Sequence, residues 1–261
     1  NGTFGSGSTP PGFGYDPTGT GSFTSGTTYD WFIPGSPWQG FTVSGNGSSY
    51  SNINGGSIGI TGGSVSDTSG TTAKDLSLLW SGAVTGFADI TSSLAYDISD
   101  TFIQINTSIT AQTNIIDGEY GFFFDPDWFS SSCGDYSTTN TVVSTSQVTS
   151  EGCDGTAISL MTDSSVTHGV DTGSWSDDAY DYLDGVAGTV QTGDNAIGMG
   201  FAFDLLAGES IDLTFYTGFA PTADDLVTID DVTSVPEPSI IALFGFGIAG
   251  LGLTARRRKA A

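Results

Sequence analysis

Glycine, serine and threonine make up 107 of the 261 residues, and this excess constrains the fold more than any other feature of the sequence. Glycine and β-branched threonine are poor helix formers, so long helices are excluded. The chain also contains 17 Phe, 9 Tyr and 5 Trp, too many for a disordered acidic segment and well suited to half-buried strands. The composition therefore predicts a folded body built from β-strands and loops.

Alternation of apolar and polar residues predicts roughly ten strands. The clearest strand is Thr101–Thr113, in which isoleucines alternate with polar residues. Ala196–Asp204 and Ser210–Tyr216 flank a turn and predict a hairpin. Because no amphipathic helix is evident, the predicted fold is all-β, an antiparallel β-sandwich of jelly-roll or Ig-like layout over residues 29–233. Other predicted strands are Trp31–Ile33, Trp38–Val43, Leu76–Trp80, Asp89–Asp97, Glu119–Phe124, Thr141–Thr145 and Ala157–Met161.

Residues 1–28 have no strand or helix period and are rich in Gly, Ser, Thr and Pro, which predicts a flexible N-terminal extension. The alternative is that its aromatic residues Phe4, Phe13, Tyr15 and Phe23 dock on a neighbouring subunit as a donated strand. The sequence starts at Asn1 without a hydrophobic leader, as expected if a signal peptide has been removed.

The charge is divided between an acidic body and a basic end. The whole chain has 29 acidic and 5 basic residues, but up to Val235 a single lysine faces 28 acids. Nucleic acid is excluded as a partner of the body, because phosphate binding needs clustered Lys and Arg. Anionic membrane surfaces and phosphorylated substrates are disfavoured for the same reason.

The C-terminal residues 234–261 have three parts: a Pro-Glu-Pro motif, an apolar run and a basic cluster. The apolar run Ile240–Ala255 would span about 24 Å as a helix, enough for a short transmembrane segment with snorkelling basic ends. The basic cluster should remain in the cytoplasm and leave the body outside. The alternative, a buried C-terminal core helix, does not explain four consecutive cations.

This tail resembles the PEP-CTERM sorting signal of Gram-negative bacteria. The resemblance implies recognition by an exosortase, transient insertion in the inner membrane, cleavage near the Pro-Glu-Pro motif, and delivery to the cell surface or an extracellular exopolysaccharide matrix. The residues that carry the resemblance are Val235, Pro236, Glu237, Pro238, Arg256, Arg257 and Arg258.

Two groups of aspartates are candidate calcium ligands, because short carboxylates in loops suit hard cations. Neither group follows the EF-hand spacing, and aspartates that only form turns are the alternative for both. No cofactor is required by the sequence. The first group is Asp125, Asp127 and Asp135, and the second is Asp177, Asp178, Asp181 and Asp184.

Cys133 and Cys153 are the two cysteines of the chain. Outside the cytoplasm they are expected to pair, and the disulfide would stabilise the fold by about 3 kcal/mol in the loop-entropy model. Metal binding by the two thiolates lacks further ligands, because His168 is the one histidine of the chain.

Four tryptophans beside turns, Trp31, Trp38, Trp128 and Trp175, could stack on sugars, although a sandwich core uses tryptophan equally well. Catalysis is not expected. A Ser-His-Asp triad would have to use His168, and the sequence has no nucleophile-elbow motif. A glycosidase needs two carboxylates in one cleft, which the sequence does not pair.

The sequence therefore favours a non-enzymatic structural protein of the cell surface or biofilm matrix, which binds exopolysaccharide or copies of itself and is stabilised by calcium. A carbohydrate-binding module for the exopolysaccharide is the main alternative. A glycoside hydrolase is a distant third.

Overall fold

The structure is a computed structural model that describes residues 31, 39–53, 56–128, 137–176 and 178–233. The N-terminal extension, the apolar run and the sorting signal lie outside these residues. The chain divides into two units, Asn1–Ile229 and Asp230–Ala261, and both sheets belong to the first. None of the described helices is long and apolar enough to cross a membrane.

The described body consists of two antiparallel sheets, which confirms the predicted β-sandwich. The first sheet is formed by β1 (Gln39–Gly45), β2 (Ser48–Ile53), β3 (Gly56–Ile58), β8 (Ile115–Phe124), β12 (Thr167–Gly173) and β14 (Ala196–Leu205). These six strands lie in the order β12-β14-β8-β1-β2-β3.

The second sheet has nine strands. They are β4 (Thr61–Asp67), β5 (Leu76–Val84), β6 (Ala88–Tyr96), β7 (Phe102–Ala111), β9 (Thr138–Ser144), β10 (Gln147–Glu151), β11 (Ala157–Thr162), β13 (Val190–Gly193) and β15 (Ser210–Ala220). Their order is β13-β9-β10-β11-β15-β7-β6-β5-β4. Short 3-10 helices cover Ser69–Thr71, Ala179–Tyr182 and Ala223–Asp225, and α1 covers Ile229–Thr233.

The alternation predicted for β7 is confirmed, because Ile105, Ile109 and Ala111 are buried while the polar residues of the other parity are half-buried. Thr107 shares the buried parity. The hairpin predicted from Ala196–Asp204 and Ser210–Tyr216 is wrong. β14 pairs with β8 and β12, whereas β15 pairs with β7 and β11, so the two strands lie in different sheets. The turn between them bonds to β7: the Gly208 amide donates to the Ala111 carbonyl (2.7 Å), and the Ala111 amide donates to the Glu209 carbonyl (2.9 Å). The chain thus changes sheet at this corner.

Aromatic side chains from both sheets fill the core. Phe122 of β8 contacts Phe215 of β15 across the sandwich, with ring centroids 4.9 Å apart. Tyr120 is 2% exposed and lies between Phe215 and Phe201. Burial raises the pKa of the Tyr120 phenol, so it stays neutral inside the core.

Glycines on the outer face of the six-stranded sheet let another segment lie directly on that face. A Cβ added to Gly198 would lie 2.3 Å from the Tyr182 ring, and one added to Gly200 would lie 2.5 Å from the Ala179 carbonyl oxygen. Residues 178–185, which we call the cover segment, occupy this space. Phe123 faces the same side and stacks on Tyr182 at 5.6 Å. The cover segment therefore gives the six-stranded sheet a second, smaller apolar contact.

Gly169→Ala should lower the free energy of unfolding by about 1–3 kcal/mol, because the added Cβ would lie 2.3 Å from the Leu183 carbonyl oxygen and force two backbones apart. Gly173→Ala is the matched control in the same strand, since no atom lies within 4 Å of its added Cβ. Urea unfolding of both variants measures the difference. Equal stabilities would contradict close packing of the cover segment.

Candidate metal centre

Three carboxylates meet at one end of the six-stranded sheet. Asp125 and Asp127 follow the last residue of β8, and Asp194 lies in the turn between β13 and β14. Ile197 pairs with Phe124 in the β8–β14 ladder, which brings both loops to the same end of the sheet. One carboxylate oxygen from each aspartate lies within 4.8 Å of the other two. Asp125 and Asp127 are buried and Asp194 is exposed, so the group opens to solvent on one side.

Backbone hydrogen bonds hold the loop that carries the buried pair. The Asp127 amide donates to the Trp31 carbonyl at 2.9 Å and to the Asp125 carbonyl at 3.1 Å. The Trp31 ring lies 4.6 Å from the ring of Trp128, the residue after Asp127. Packing of the two buried indoles thus holds the chain directly after Asp127 against the residue that binds the Asp127 amide.

The electrostatics of the group favour a cation. Burial, together with the negative charge of Asp194, raises the pKa of Asp125 to about 7. The single lysine of the body, Lys74, is held elsewhere by Asp97 (2.8 Å) and Asp100 (3.1 Å). No basic side chain of the body is therefore left to neutralise the group. Oxygen-only ligands of this kind suit a hard divalent cation, so these three residues could hold a metal ion.

The sequence predicted two members of this group and missed the third. Asp125 and Asp127 lie together as expected, whereas Asp135 is outside the described residues. Asp194 was missed because only the pairing of β8 with β14 brings it close. Its Gly-Asp-Asn turn directly before a strand was the available signal.

The second predicted calcium group has other roles in the described part of the chain. Asp178 caps the 3-10 helix by accepting the Tyr180 amide hydrogen bond at 3.1 Å, and Asp181 accepts one from the Ser176 hydroxyl. Among the described residues, Asp178, Asp181 and Asp184 form no three-carboxylate group of the kind seen at Asp125. Asp177 lies outside those residues.

Two of the four tryptophans predicted to bind glycan are buried in the core. Trp31 is 0% and Trp128 is 1% exposed, so the sugar-platform prediction is wrong for these two and the core alternative is right. The Trp128 Nε1 atom donates to Asp154 at 2.8 Å, which satisfies its polar group inside the protein. Trp175 is half-buried against Phe123, and Trp38 lies outside the described residues.

Cys153 follows β10 and is not a free thiol. Its predicted partner, Cys133, lies outside the described residues, so their disulfide stays a prediction.

A groove of about 530 Å³ crosses the outer face of the six-stranded sheet beside the cover segment. It contains three carboxylates, although two of them have internal partners: Glu119 accepts the Ser44 hydroxyl at 3.0 Å, and Asp178 caps its helix. The polar side chains that line the groove are Ser44, Ser48, Ser49, Asp117, Glu119 and Asp178.

The outer face of the nine-stranded sheet has a shallow depression of about 320 Å³ across β5, β6, β7 and β15. Hydroxyls, an amide and one carboxylate line it, with Leu79 as an apolar element. Asn106 accepts a hydrogen bond from Thr214 at 3.0 Å, which fixes one acceptor in the depression. The other residues that line it are Thr91, Ser93, Thr107, Ser108 and Asp212, of which Thr107 is buried.

Comparison with known proteins identifies the tail. Residues 234–259 match the PEP-CTERM protein-sorting motif, as the sequence predicted. The motif indicates export to the cell envelope or surface. No curated protein matches the chain.

Solved structures similar to this chain include a heparan sulfate lyase, Heparinase III and an alpha-mannosidase. A heparan sulfate lyase from Pedobacter heparinus is 8% identical to this chain, with a TM-score of 0.37. The match covers 67% of this chain and 30% of the lyase chain. Heparinase III is 10% identical to this chain, with a TM-score of 0.39. The match covers 70% of this chain and 24% of the Heparinase III chain. An alpha-mannosidase from Bacteroides thetaiotaomicron is 9% identical to this chain, with a TM-score of 0.33. The match covers 54% of this chain and 18% of the mannosidase chain. The chain spans less than a third of each of these proteins, and likeness at this level says nothing of its activity.

Metal-free protein should lose stability as the pH rises from 3.8 to about 7. Asp125 keeps its proton up to about pH 7 in the folded state, whereas the unfolded chain releases it near 3.8. Over that interval the folded state binds more protons than the unfolded state. The contribution of Asp125 to the free energy of unfolding is therefore fully present below pH 3.8 and lost by about pH 7. Urea unfolding in a chelator should show this slope in the wild type and a smaller one in Asp125→Asn. The control variant Asp224→Asn, at an exposed position, should keep the wild-type slope. Identical slopes in all three proteins would contradict the raised pKa of Asp125.

Proposed function

Because the chain carries a PEP-CTERM sorting motif, which marks it for export to the cell envelope or surface, we propose that its body is a structural protein of the cell surface or biofilm matrix. The sorting motif is the observation that carries the proposal. Recognition by an exosortase and cleavage near Pro238 follow from the same motif and are part of the proposal.

Calcium is the ion we assign to Asp125, Asp127 and Asp194. An extracellular protein meets this cation at high concentration, and carboxylate oxygens at a strand end are its usual ligands. Binding would neutralise a buried like-charge group and would join the loop after β8 to the turn before β14. The ion therefore stabilises the sandwich at the end where the two loops meet.

Self-association is the structural activity we expect. β4 is one of the two edge strands of the nine-stranded sheet, and all seven of its residues are exposed. Its sequence, Thr-Gly-Gly-Ser-Val-Ser-Asp, contains neither the lysine nor the proline that commonly protects an edge. A strand from another copy could pair with this edge. Cations in the matrix would screen the acidic bodies that such pairing brings together.

Carbohydrate binding is the second candidate, and the depression around Asn106 favours it. Fixed hydroxyl and amide groups beside an apolar leucine match the hydroxyls and C–H faces of a sugar. Asp212 is the one charged side chain among the lining residues, which disfavours anionic glycans.

Ser93→Leu should abolish such binding by filling the depression. A glycan array read with the wild type, Ser93→Leu and the control Ser174→Leu, at an exposed position after β12 of the other sheet, tests this candidate. Binding that is absent from the wild type, or equal in all three proteins, would reject it.

Calcium should raise the melting temperature of the wild type and promote filaments or sheets visible by negative-stain microscopy. At a hundredfold excess over Kd the ion adds about 2.7 kcal/mol to stability. Asp194→Asn removes one ligand and should lose most of this gain, whereas Asp224→Asn removes the same charge from an exposed position away from the group and should keep it. A calcium response equal in both variants rejects the site. Stabilisation without assembly rejects the structural role and leaves the site.

A further inference from the structure

The one histidine of the chain lies against a serine hydroxyl. The Nε2 atom of His168 is 2.9 Å from the Ser146 Oγ atom, and its Nδ1 atom is 2.7 Å from the Val166 carbonyl oxygen. These two contacts fix the orientation of the imidazole ring. We propose that Ser146 and His168 form a nucleophile–base pair that reacts with small neutral acyl esters.

The tautomer of His168 follows from its partners. A carbonyl oxygen can only accept, so Nδ1 carries the hydrogen and donates it to Val166. Nε2 of the neutral ring then has a free lone pair and accepts the Ser146 hydroxyl hydrogen. This is the arrangement in which an imidazole removes a proton from a serine nucleophile.

The third position of the arrangement is a backbone carbonyl instead of a carboxylate. In a Ser-His-Asp triad the aspartate holds the imidazole in the correct tautomer and stabilises the imidazolium that forms. The Val166 carbonyl oxygen performs the first task through its 2.7 Å contact, and its dipole contributes to the second.

The fold holds the pair rigidly and at the surface. Ser146 lies in the turn between β9 and β10 of the nine-stranded sheet, whereas His168 lies in β12 at the edge of the six-stranded sheet. The Ser146 carbonyl accepts the Thr162 amide at 3.0 Å, and its amide donates to Ser144 Oγ at 3.1 Å. Both residues of the pair are half-buried, which leaves part of each open to solvent.

The chemistry balances without a cofactor. The Ser146 Oγ atom attacks the ester carbonyl carbon while its proton passes to His168 Nε2. The carbon–oxygen bond to the alcohol breaks, the alcohol leaves with that proton, and an acyl-serine remains. Water then attacks the acyl-serine, and its proton returns through Nε2 to Ser146. The sum is ester plus water giving acid plus alcohol. The acidic body favours neutral over anionic acyl groups.

This proposal goes beyond the structural role and departs from the expectation that the protein is not an enzyme. The competing interpretation is that the hydrogen bond only joins the β9–β10 turn to β12. A purely structural contact would affect stability and leave Ser146 no more reactive than the other serines of the chain.

The experiment is covalent labelling of the folded wild type with diisopropyl fluorophosphate, followed by peptide mapping, together with p-nitrophenyl acetate hydrolysis. We expect an adduct on Ser146, no adduct on that peptide in Ser146→Ala, and a labelling rate lowered by about 10²-fold or more in His168→Ala. Ser69→Ala is the control, because Ser69 is half-buried like Ser146 and its hydroxyl bonds the Ser77 backbone instead of an imidazole. It should label and hydrolyse as the wild type does.

Added imidazole should restore labelling in His168→Ala, a rescue that a merely structural histidine would not allow. Circular dichroism checks that each variant is folded. A wild type that shows no preferred adduct on Ser146 overturns the proposal whether or not the variants fold. Equal Ser146 labelling in wild type and folded His168→Ala also overturns it.

Discussion

Burial of aromatic side chains between the two sheets is the interaction on which the rest of the structure depends. β8 contributes Tyr120, Phe122 and Phe124 to this layer, and β15 opposes them with Phe215. Acidic side chains are excluded from the layer, because the body has one lysine to pair with them and an unpaired buried charge is costly. The acids therefore collect in loops and at strand ends, and two members of the three-carboxylate group, Asp125 and Asp127, directly follow β8.

The outer faces of the sheets differ in what covers them. The six-stranded sheet uses glycines to accept the cover segment, and part of the nine-stranded sheet is closed by Leu226, which packs on Ala157 and Ala220. β5, β6 and β7 keep a polar outer face around the Asn106 depression. Small residues thus have two structural roles in this chain. Glycine permits close contact between a sheet and the segment that covers it, whereas serine and threonine keep the outer face of a sheet hydrated.

The sequence predicted which residues of a strand face the core better than it predicted which strands are neighbours in a sheet. The alternation in β7 sets its buried face, and the sorting tail was identified from its own residues. The sheet change between β14 and β15 was not predictable, because both strands are apolar and a tight turn suits a corner as well as a hairpin. Asp194 and the Ser146–His168 contact were missed for a related reason, since each depends on chain segments brought together only by sheet pairing and packing.

The position of Lys74 affects how well the body of the protein resists proteases outside the cell. Proteases of the trypsin type cut after lysine or arginine, and up to Val235 the body offers them this residue alone. Its ammonium group is held between Asp97 and Asp100, with 30% of the side chain exposed. The remaining cleavage points are the four cations of the tail, Arg256, Arg257, Arg258 and Lys259. The same scarcity of cations that shapes the surface charge therefore makes the folded body a poor substrate for one of the commonest classes of extracellular protease.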